Sequence, residues 1–463
     1  MCDVDHTKRG PASVASVTGE VSSANLPAGP RYPAPLQLLG WWTRPIAFRE
    51  RCRARYGRRY TIRLPFTPPL VHLSDPDEVR EVFTAPPDLL HPGEGARVLK
   101  PVVGRNSVIL LDEGAHLEQR KLMLPAFHGD RMERLSGLVS EVTEREVASW
   151  PRGESIALHA RLQALTLEVI LRAVFGLDTG RRLDEIRALL TGVLAAGDQW
   201  WTMLGQPPRK WVERVGPWAP FFRQRDRARA VVEELVDERR AEGERAIERD
   251  DALAMLLAAR HEDGSPMSTE ELRDELMTLL VAGHETTASE LAWAFERLAR
   301  EPPARERLAT EIRSGRDDAY LMATIHETLR RRPVLPNAAP RLVMREIEIG
   351  GWRYPPEVGL VPDAYAIHHD PEIYPDPYAF RPERFLGQKP GSYTWIPFGG
   401  GRRRCLGASF AILEMKAVLR AVFQAADLAP APEGVELGRR RQITISPRAG
   451  AIAELRNRVA AAA

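Results

Sequence analysis

From residue 113 to 331 apolar side chains recur every three to four positions, which predicts amphipathic helices over 129–149, 157–175, 182–204, 222–246, 268–300, 302–313 and 319–331. Upstream the period changes. A helical stretch runs from Pro45 to Tyr56, YTIRL (60–64) and LVHL (70–73) read as strands, and SDPDEVREVF (74–83) opens with a Ser/Asp helix-start signal. Downstream come short strands within 342–354, a proline-rich run over 355–404 with almost no period, a helix over 406–423 and a strand-like RQITISP (441–447). The expected fold class is mainly α with a small β-rich portion. Residues 1–26 show no period and lead into the proline-studded LPAGPRYPAP, so a flexible tail (1–26) and a single domain (27–463) are expected. No repeat of 20 to 50 residues is visible.

Composition narrows the class further. At 463 residues, 44% hydrophobic and 28% charged, the chain is large enough for an enzyme-sized core and excludes a disordered or collagen-like protein. Lys and Arg number 65 against 63 Asp and Glu, a net charge of +2, so no nucleic-acid partner is expected. The three cysteines, Cys2, Cys52 and Cys405, form no CxxC pair, which points to a reducing compartment. The charged MCDVDHTKRG start and the lack of 18 consecutive apolar residues predict no membrane anchor and a cytoplasmic location.

The candidate chemistry lies where the structureless run ends, since a long run of that kind is expected to be functional. In WIPFGGGRRRCLGASF (395–410), three glycines and three arginines precede Cys405, which sits at the entrance to a helix. Glycine permits positive φ and close approach to a flat ligand. A helix start lowers a thiol pKa toward the thiolate that a haem iron requires. Taken alone, Cys405 reads as a small buried hydrophobe in a glycine loop.

The spacing decides between these readings. Phe398, Gly401, Arg403, Cys405 and Gly407 fill F-x-x-G-x-R-x-C-x-G, and by this motif the chain resembles the cytochrome P-450 superfamily. The resemblance implies a b-type haem, with Cys405 as axial iron ligand, Arg403 on a propionate, Phe398 by the thiolate and Gly407 close to the porphyrin. It extends to four further constellations. Glu327 and Arg330 in HETLR would join Arg384 of PERF in a buried structural triad. His116 and Arg120, one helical turn apart, would reach the propionates, with Arg341 as a further candidate. In VAGHETTASE (281–290) Glu285 and Thr286 would form a carboxyl and hydroxyl pair that relays protons, and the small Ala282 and Gly283 would let the helix approach the haem. Met277, Val281, Ala282, Trp200 and Trp201 are the candidate substrate pocket; the aromatic cluster from Trp200 to Phe222 would be a lid. HHDP (368–371) resembles the family's H-R-D-P with His369 in place of arginine, and no role follows for it.

The function implied is O2-dependent hydroxylation or epoxidation of a small hydrophobic substrate by a monomer. Electrons would come from NAD(P)H through a ferredoxin reductase and a ferredoxin in trans. Two other readings stay open: a peroxide-driven or non-oxygenating haem-thiolate enzyme, which tends to lack the Glu285 and Thr286 pair, and a non-enzymatic haem-thiolate sensor.

Overall fold

The structure is a computed structural model that describes residues 26–127, 130–176, 180–197, 218–429, 434, 436–441 and 443–457. The proposed tail lies outside these residues. The central element is the helix Thr269–Arg300. It starts on a capping box, in which the Ser268 hydroxyl accepts the Glu271 N–H (3.2 Å) and the Glu271 carboxylate accepts the Ser268 N–H (2.8 Å). Glu270 and Glu271 in its first turn and Arg297 and Arg300 in its last complement the helix dipole. Leu272, Leu276, Leu280, Leu291, Phe295 and Leu298 are fully or almost fully buried, so this helix is the spine of the core rather than a surface element.

The flanking helix Leu158–Phe175 lies along the spine. Gly283 makes the approach possible: a Cβ there would stand 2.8 Å from Ile170 Cδ1. The sequence reading assigned this glycine to haem approach; the structure gives it to helix packing as well. The cysteine-loop helix Ala408–Ala425 and the anchor helix Ala319–Arg331 also pack on the spine.

The largest sheet among the described residues has five strands, in the order Arg59–Ile62, Leu70–Leu73, Gly359–Pro362, Arg341–Val343, Leu90–His91, and three smaller sheets of two or three strands accompany it. Leu70–Leu73 and Gly359–Pro362 pair in parallel, so strands almost 290 residues apart are joined, and the other pairs are antiparallel. The strand Gly359–Pro362 and the short helix Ala364–His368 correct the reading of 355–404 as nearly structureless. All four strand residues are buried, which removes the alternation that marks a strand. Helices Ala34–Thr43 and Ala252–Ala258 were also not foreseen; the second is capped by Asp251, whose carboxylate accepts the Ala254 N–H at 2.8 Å. Of the expected helix 182–204, Arg181–Gly197 is described. Trp200 and Trp201 lie outside the described residues.

Candidate active site

One cavity of about 1690 Å³ runs between the spine, the cysteine loop and the sheet. A pocket for one small ligand usually measures ~300–1,000 Å³, so this one has room for a cofactor together with a substrate. Its lining includes Val281, Ala282, Glu285 and Thr286 from the spine, His116 and Arg120 from the helix Glu113–Met123, Arg341 from the sheet, and Phe398, Arg403, Cys405 and Gly407 from the cysteine loop. Met277, proposed for the pocket, is fully buried in the core instead.

The loop owes its shape to a partner that no motif named. Gly399 and Gly401 take φ of 68° and 63°, in the region that favours glycine. A Cβ on Gly400 would stand 2.4 Å from Phe83 Cδ2, and one on Gly401 2.3 Å from the Phe83 carbonyl oxygen. The loop therefore rests directly on the helix Pro76–Thr84. Cys405 N–H donates to the Phe398 carbonyl (3.0 Å), closing the turn that presents the thiol. Phe398 meets Trp395 edge-on at 6.0 Å, and Trp395 Nε1 donates to the His326 carbonyl on the anchor helix (3.1 Å). A Cβ on Gly407 would meet no protein atom within 4 Å, although Gly407 lines the cavity.

Cys405 lies deep in the molecule and presents its surface to the cavity. Burial raises its thiol pKa, opposed by the Gly407 N–H and by the charges of Arg120 and Arg404. The sequence predicted a lowered value. The helix begins only at Ala408, so its amides help less than desolvation costs.

The basic groups around the thiol exceed the acids beside them. Arg403 is held by Asp112 (2.6 Å) and by the Val108 carbonyl (3.2 Å), and burial lowers its pKa to about 10. Arg341, 4% exposed, donates to the Ala339 carbonyl (3.0 Å) and lies 4.6 Å over the Phe83 ring; burial and then Arg403 lower it to about 9. Neither Arg341 nor Arg120 has a carboxylate partner among the described residues. His116 is buried and pushed down to about 3, by burial first and then by Arg403 and Arg120, so it is a neutral imidazole. Two guanidiniums without carboxylate partners, lining the same cavity as a cysteine loop with an unobstructed glycine, match a flat ligand that carries two carboxylates. The residues fit a haem.

The triad residues meet. Arg330 Nε and Nη2 bind the two Glu327 oxygens at 2.7 and 2.8 Å, with both side chains fully buried, and Arg384 Nε stands 3.6 Å from Glu327 Oε1. Arg330 also donates to the carbonyls of His368 (2.6 Å) and Pro377 (2.9 Å), and Glu327 accepts the Arg381 N–H (2.8 Å). His368 extends this anchor to the cysteine loop, accepting the Ile396 N–H at Nε2 (2.9 Å) while Nδ1 faces the Arg330 carbonyl (3.1 Å). His369, left without a role, packs on Tyr365 (centroids 4.0 Å apart) with Nε2 3.1 Å from Arg331.

Glu285 and Thr286 both line the cavity, but they point apart. The Thr286 hydroxyl donates to the Ala282 carbonyl one turn back (2.7 Å). The Glu285 carboxylate turns to the flanking helix, where it accepts from Gln163 (2.5 Å) and stands 3.4 Å from His159, and it also accepts from Ser289 one turn on along the spine (3.0 Å). Burial opposes its ionisation, yet His159, Gln163 and His284 prevail and hold it at about 2. Adjacent helical residues diverge by 100°, which a linear motif does not display. His159 and Gln163 carried no motif and were missed. Farther along, Trp218, Phe221 and Phe222 pack on one another with centroids 5.4 to 6.0 Å apart, and Phe222 reaches the cavity.

Comparison with known proteins identifies the family. The family model of cytochrome P450 matches residues 27–448. "Putative cytochrome P450 135B1" of Mycobacterium tuberculosis is 37% identical over 435 residues, covering 93% of this chain and 91% of the relative. "Putative cytochrome P450 138" of the same species is 37% identical over 404 residues, 87% of this chain and 90% of the relative. Among solved structures, a cytochrome P450DA haem domain superposes with a TM-score of 0.82 at 22% identity, over 94% of this chain and 97% of the other. The retinoic acid-bound cyanobacterial CYP120A1 does so with 0.80 at 24%, over 94% and 100%. The chain belongs to the cytochrome P450 family: a mainly helical haem-thiolate protein with a b-type haem, of the class of monooxygenases that use O2, a small organic substrate and redox partners. Among the described residues no helix is long and apolar enough to cross a membrane.

Proposed function

We propose that residues 27–463 form one catalytic domain that hydroxylates or epoxidises a largely apolar substrate, with electrons from NAD(P)H delivered by a separate ferredoxin and its reductase. The observation that carries this reading is Cys405 facing a cavity also lined by Thr286 and by basic groups that lack counterions. In this reading Cys405 would bind the haem iron, and Arg120, Arg341, Arg403 and His116 would receive the propionates. When bound, the haem supplies O2 activation and transfer of one oxygen atom to the substrate. The chain supplies the rest. Thr286 Oγ1, on the cavity side of the spine, hands on a proton, and Glu285 is the acid behind it once its carboxylate leaves Gln163 and His159. Val281, Ala282 and Phe222 bound the apolar space. The wide spacing of the cysteines supports a cytoplasmic setting.

Cys405→Ser is expected to bind haem but lose the thiolate-type spectrum of the reduced carbon monoxide complex; retention of that spectrum would overturn the assignment. Thr286→Ala is expected to consume NAD(P)H while releasing more hydrogen peroxide and less product. Unchanged coupling would favour the peroxide-driven or non-oxygenating reading.

A further inference from the structure

The cavity wall is far more basic than the chain. Among the described residues thirteen arginines and one lysine line it against three glutamates, although net charge is only +2. Most of this excess is neutralised on inspection. At the rim, Arg187 pairs with Asp184 (2.7 Å) and Arg273 with Glu233 (2.6 Å) and Asp274 (2.8 Å). Arg225 pairs with Asp226 (2.5 Å), and Arg441 stands 3.9 Å from Glu285. Of the three acids, Glu94 pairs with Arg97, Glu285 is engaged on the flanking helix, and burial pushes Glu290 up to about 8.

Arg440 is one of those that remain without a carboxylate among the described residues, with Arg120, Arg229, Arg341 and Arg404. It lies on the hairpin strand Gly438–Arg441, is 5% exposed, and lines the cavity. Its guanidinium stacks 3.6 Å from the Trp41 ring centroid and its Nε donates to the Trp41 carbonyl (3.3 Å), so the fork is held in one orientation. Its Nη2 is buried without a hydrogen-bond partner. Burial opposes its charged form first, and a second cation, Arg49, itself 1% exposed, adds to that. The acid in that region is Asp363, and it is saturated. Oδ2 takes Arg49 (2.7 Å), His72 (2.8 Å) and the Tyr60 hydroxyl (3.1 Å), while Oδ1 takes the Ala366 N–H (3.1 Å). His72 is kept neutral by burial, so Arg49, Arg440 and Asp363 together carry one uncompensated positive charge. A buried guanidinium without a counter-ion is costly, and an anion entering beside it removes that cost.

Neither Arg440 nor Arg49 shares a hydrogen bond or ion pair with the proposed haem-cradle residues His116, Arg120, Arg341 and Arg403: Arg440 bonds Trp41, and Arg49 bonds His72, Asn337 and Asp363. Leu38, Trp41, Leu70, Leu335 and Val361 line the same cavity, together with the polar Arg49, His72 and Asn337. We propose that Arg440, oriented by Trp41 and backed by Arg49, anchors the carboxylate of an otherwise apolar acid that is this enzyme's substrate. This names the substrate class and rests on the haem-enzyme reading above.

The test uses the full-length haem-loaded protein and a series of apolar acids, from hexanoate to hexadecanoate together with phenylbutyrate, each beside its methyl ester. Binding is measured by calorimetry and by the change in the haem absorption spectrum. At least one acid is expected to bind about tenfold or more tighter than its ester. Arg440→Met is expected to abolish that preference, and Arg440→Lys to keep part of it. Esters that match their acids throughout, or a preference that survives Arg440→Met, would overturn the proposal. So would sodium sulfate that stabilises the unmodified protein but not Arg440→Met and leaves acid binding unaffected, since Arg440 would then hold a structural inorganic anion. Should Arg440→Met fail to fold, the acid-to-ester ratio of the unmodified protein and of Arg440→Lys decides. Absence of the thiolate-type carbon monoxide spectrum would count against the haem-enzyme reading instead, a result read independently of any acid preference.

Discussion

Two charged regions of the interior are built on opposite rules. Behind the cysteine loop, Glu327 and Arg330 are fully buried and their charges are answered within the protein, by each other and by the carbonyls of His368 and Pro377. On the cavity wall, Arg341 and Arg440 are almost as buried, yet neither meets a carboxylate among the described residues. A buried charge that serves the fold must be neutralised by the fold, or the native state loses several kcal/mol. One left short of partners costs stability in the free protein and lowers the cost of binding an anion. The contrast separates scaffold from site without reference to any motif.

The sharpest way to break the contrast is to remove a counter-ion from the scaffold. Glu327→Gln strands Arg330 at zero exposure and is expected to cost about 3–5 kcal/mol in denaturant unfolding. Replacing both residues with methionine is expected to recover much of that loss. A single variant within about 1 kcal/mol of the unmodified protein would show that the pair is dispensable.

Glu285 occupies an intermediate position, since it lines the cavity and is nevertheless paired. Its carboxyl is depressed from 4.5 to about 2, so the stability it contributes is complete above its ordinary value and is lost as pH falls through about 2. Glu285→Gln is expected to flatten the acid-unfolding profile between pH ~4.5 and ~2, an effect of about 3 kcal/mol at most. An unchanged profile would mean that His159 and Gln163 do not hold the charged form.

Arg341→Met tests the opposite rule. Because no carboxylate is stranded, unfolding of the haem-free protein is expected to shift by less than about 1 kcal/mol, while haem affinity falls about tenfold to a hundredfold. A large loss of stability with haem affinity unchanged would move Arg341 into the scaffold class.

The smallest effect is expected outside the cavity. Arg402 and Arg404 are exposed beside the cysteine loop, whereas Lys121, the third cation of that face, pairs with Glu262 at 2.9 Å. Arg402→Glu is expected to slow reduction by an acidic ferredoxin severalfold at low salt and hardly at all at high salt. A rate indifferent to both would place docking elsewhere.

The parts of the site legible in the sequence are those whose residues lie within one helix or one loop. The offsets from Phe398 to Gly407, from Glu327 to Arg330 and from His116 to Arg120 are local, and a turn of helix or a tight loop brings such residues together wherever the element packs. The same locality let the hydrophobic period reveal the spine and the anchor helix. Short, fully buried strands such as Gly359–Pro362 escaped, because burial on both faces erases the alternation. So did Met277, whose side of the spine depends on what packs there.

Long-range pairing decided the rest. Such contacts join the Arg49 guanidinium to Asp363, that of Arg403 to Asp112, and the Gln163 amide to the Glu285 carboxylate, separations of 314, 291 and 122 residues. No local rule contains them. The amino-acid order determined the secondary elements and the cysteine loop, because steric and hydrogen-bonding preferences act over a few residues. The tertiary structure alone determined which charges are spent on the fold and which, like Arg440, are left for a ligand, because that depends on every chain segment brought within a few ångströms in a medium where an unpaired charge is expensive.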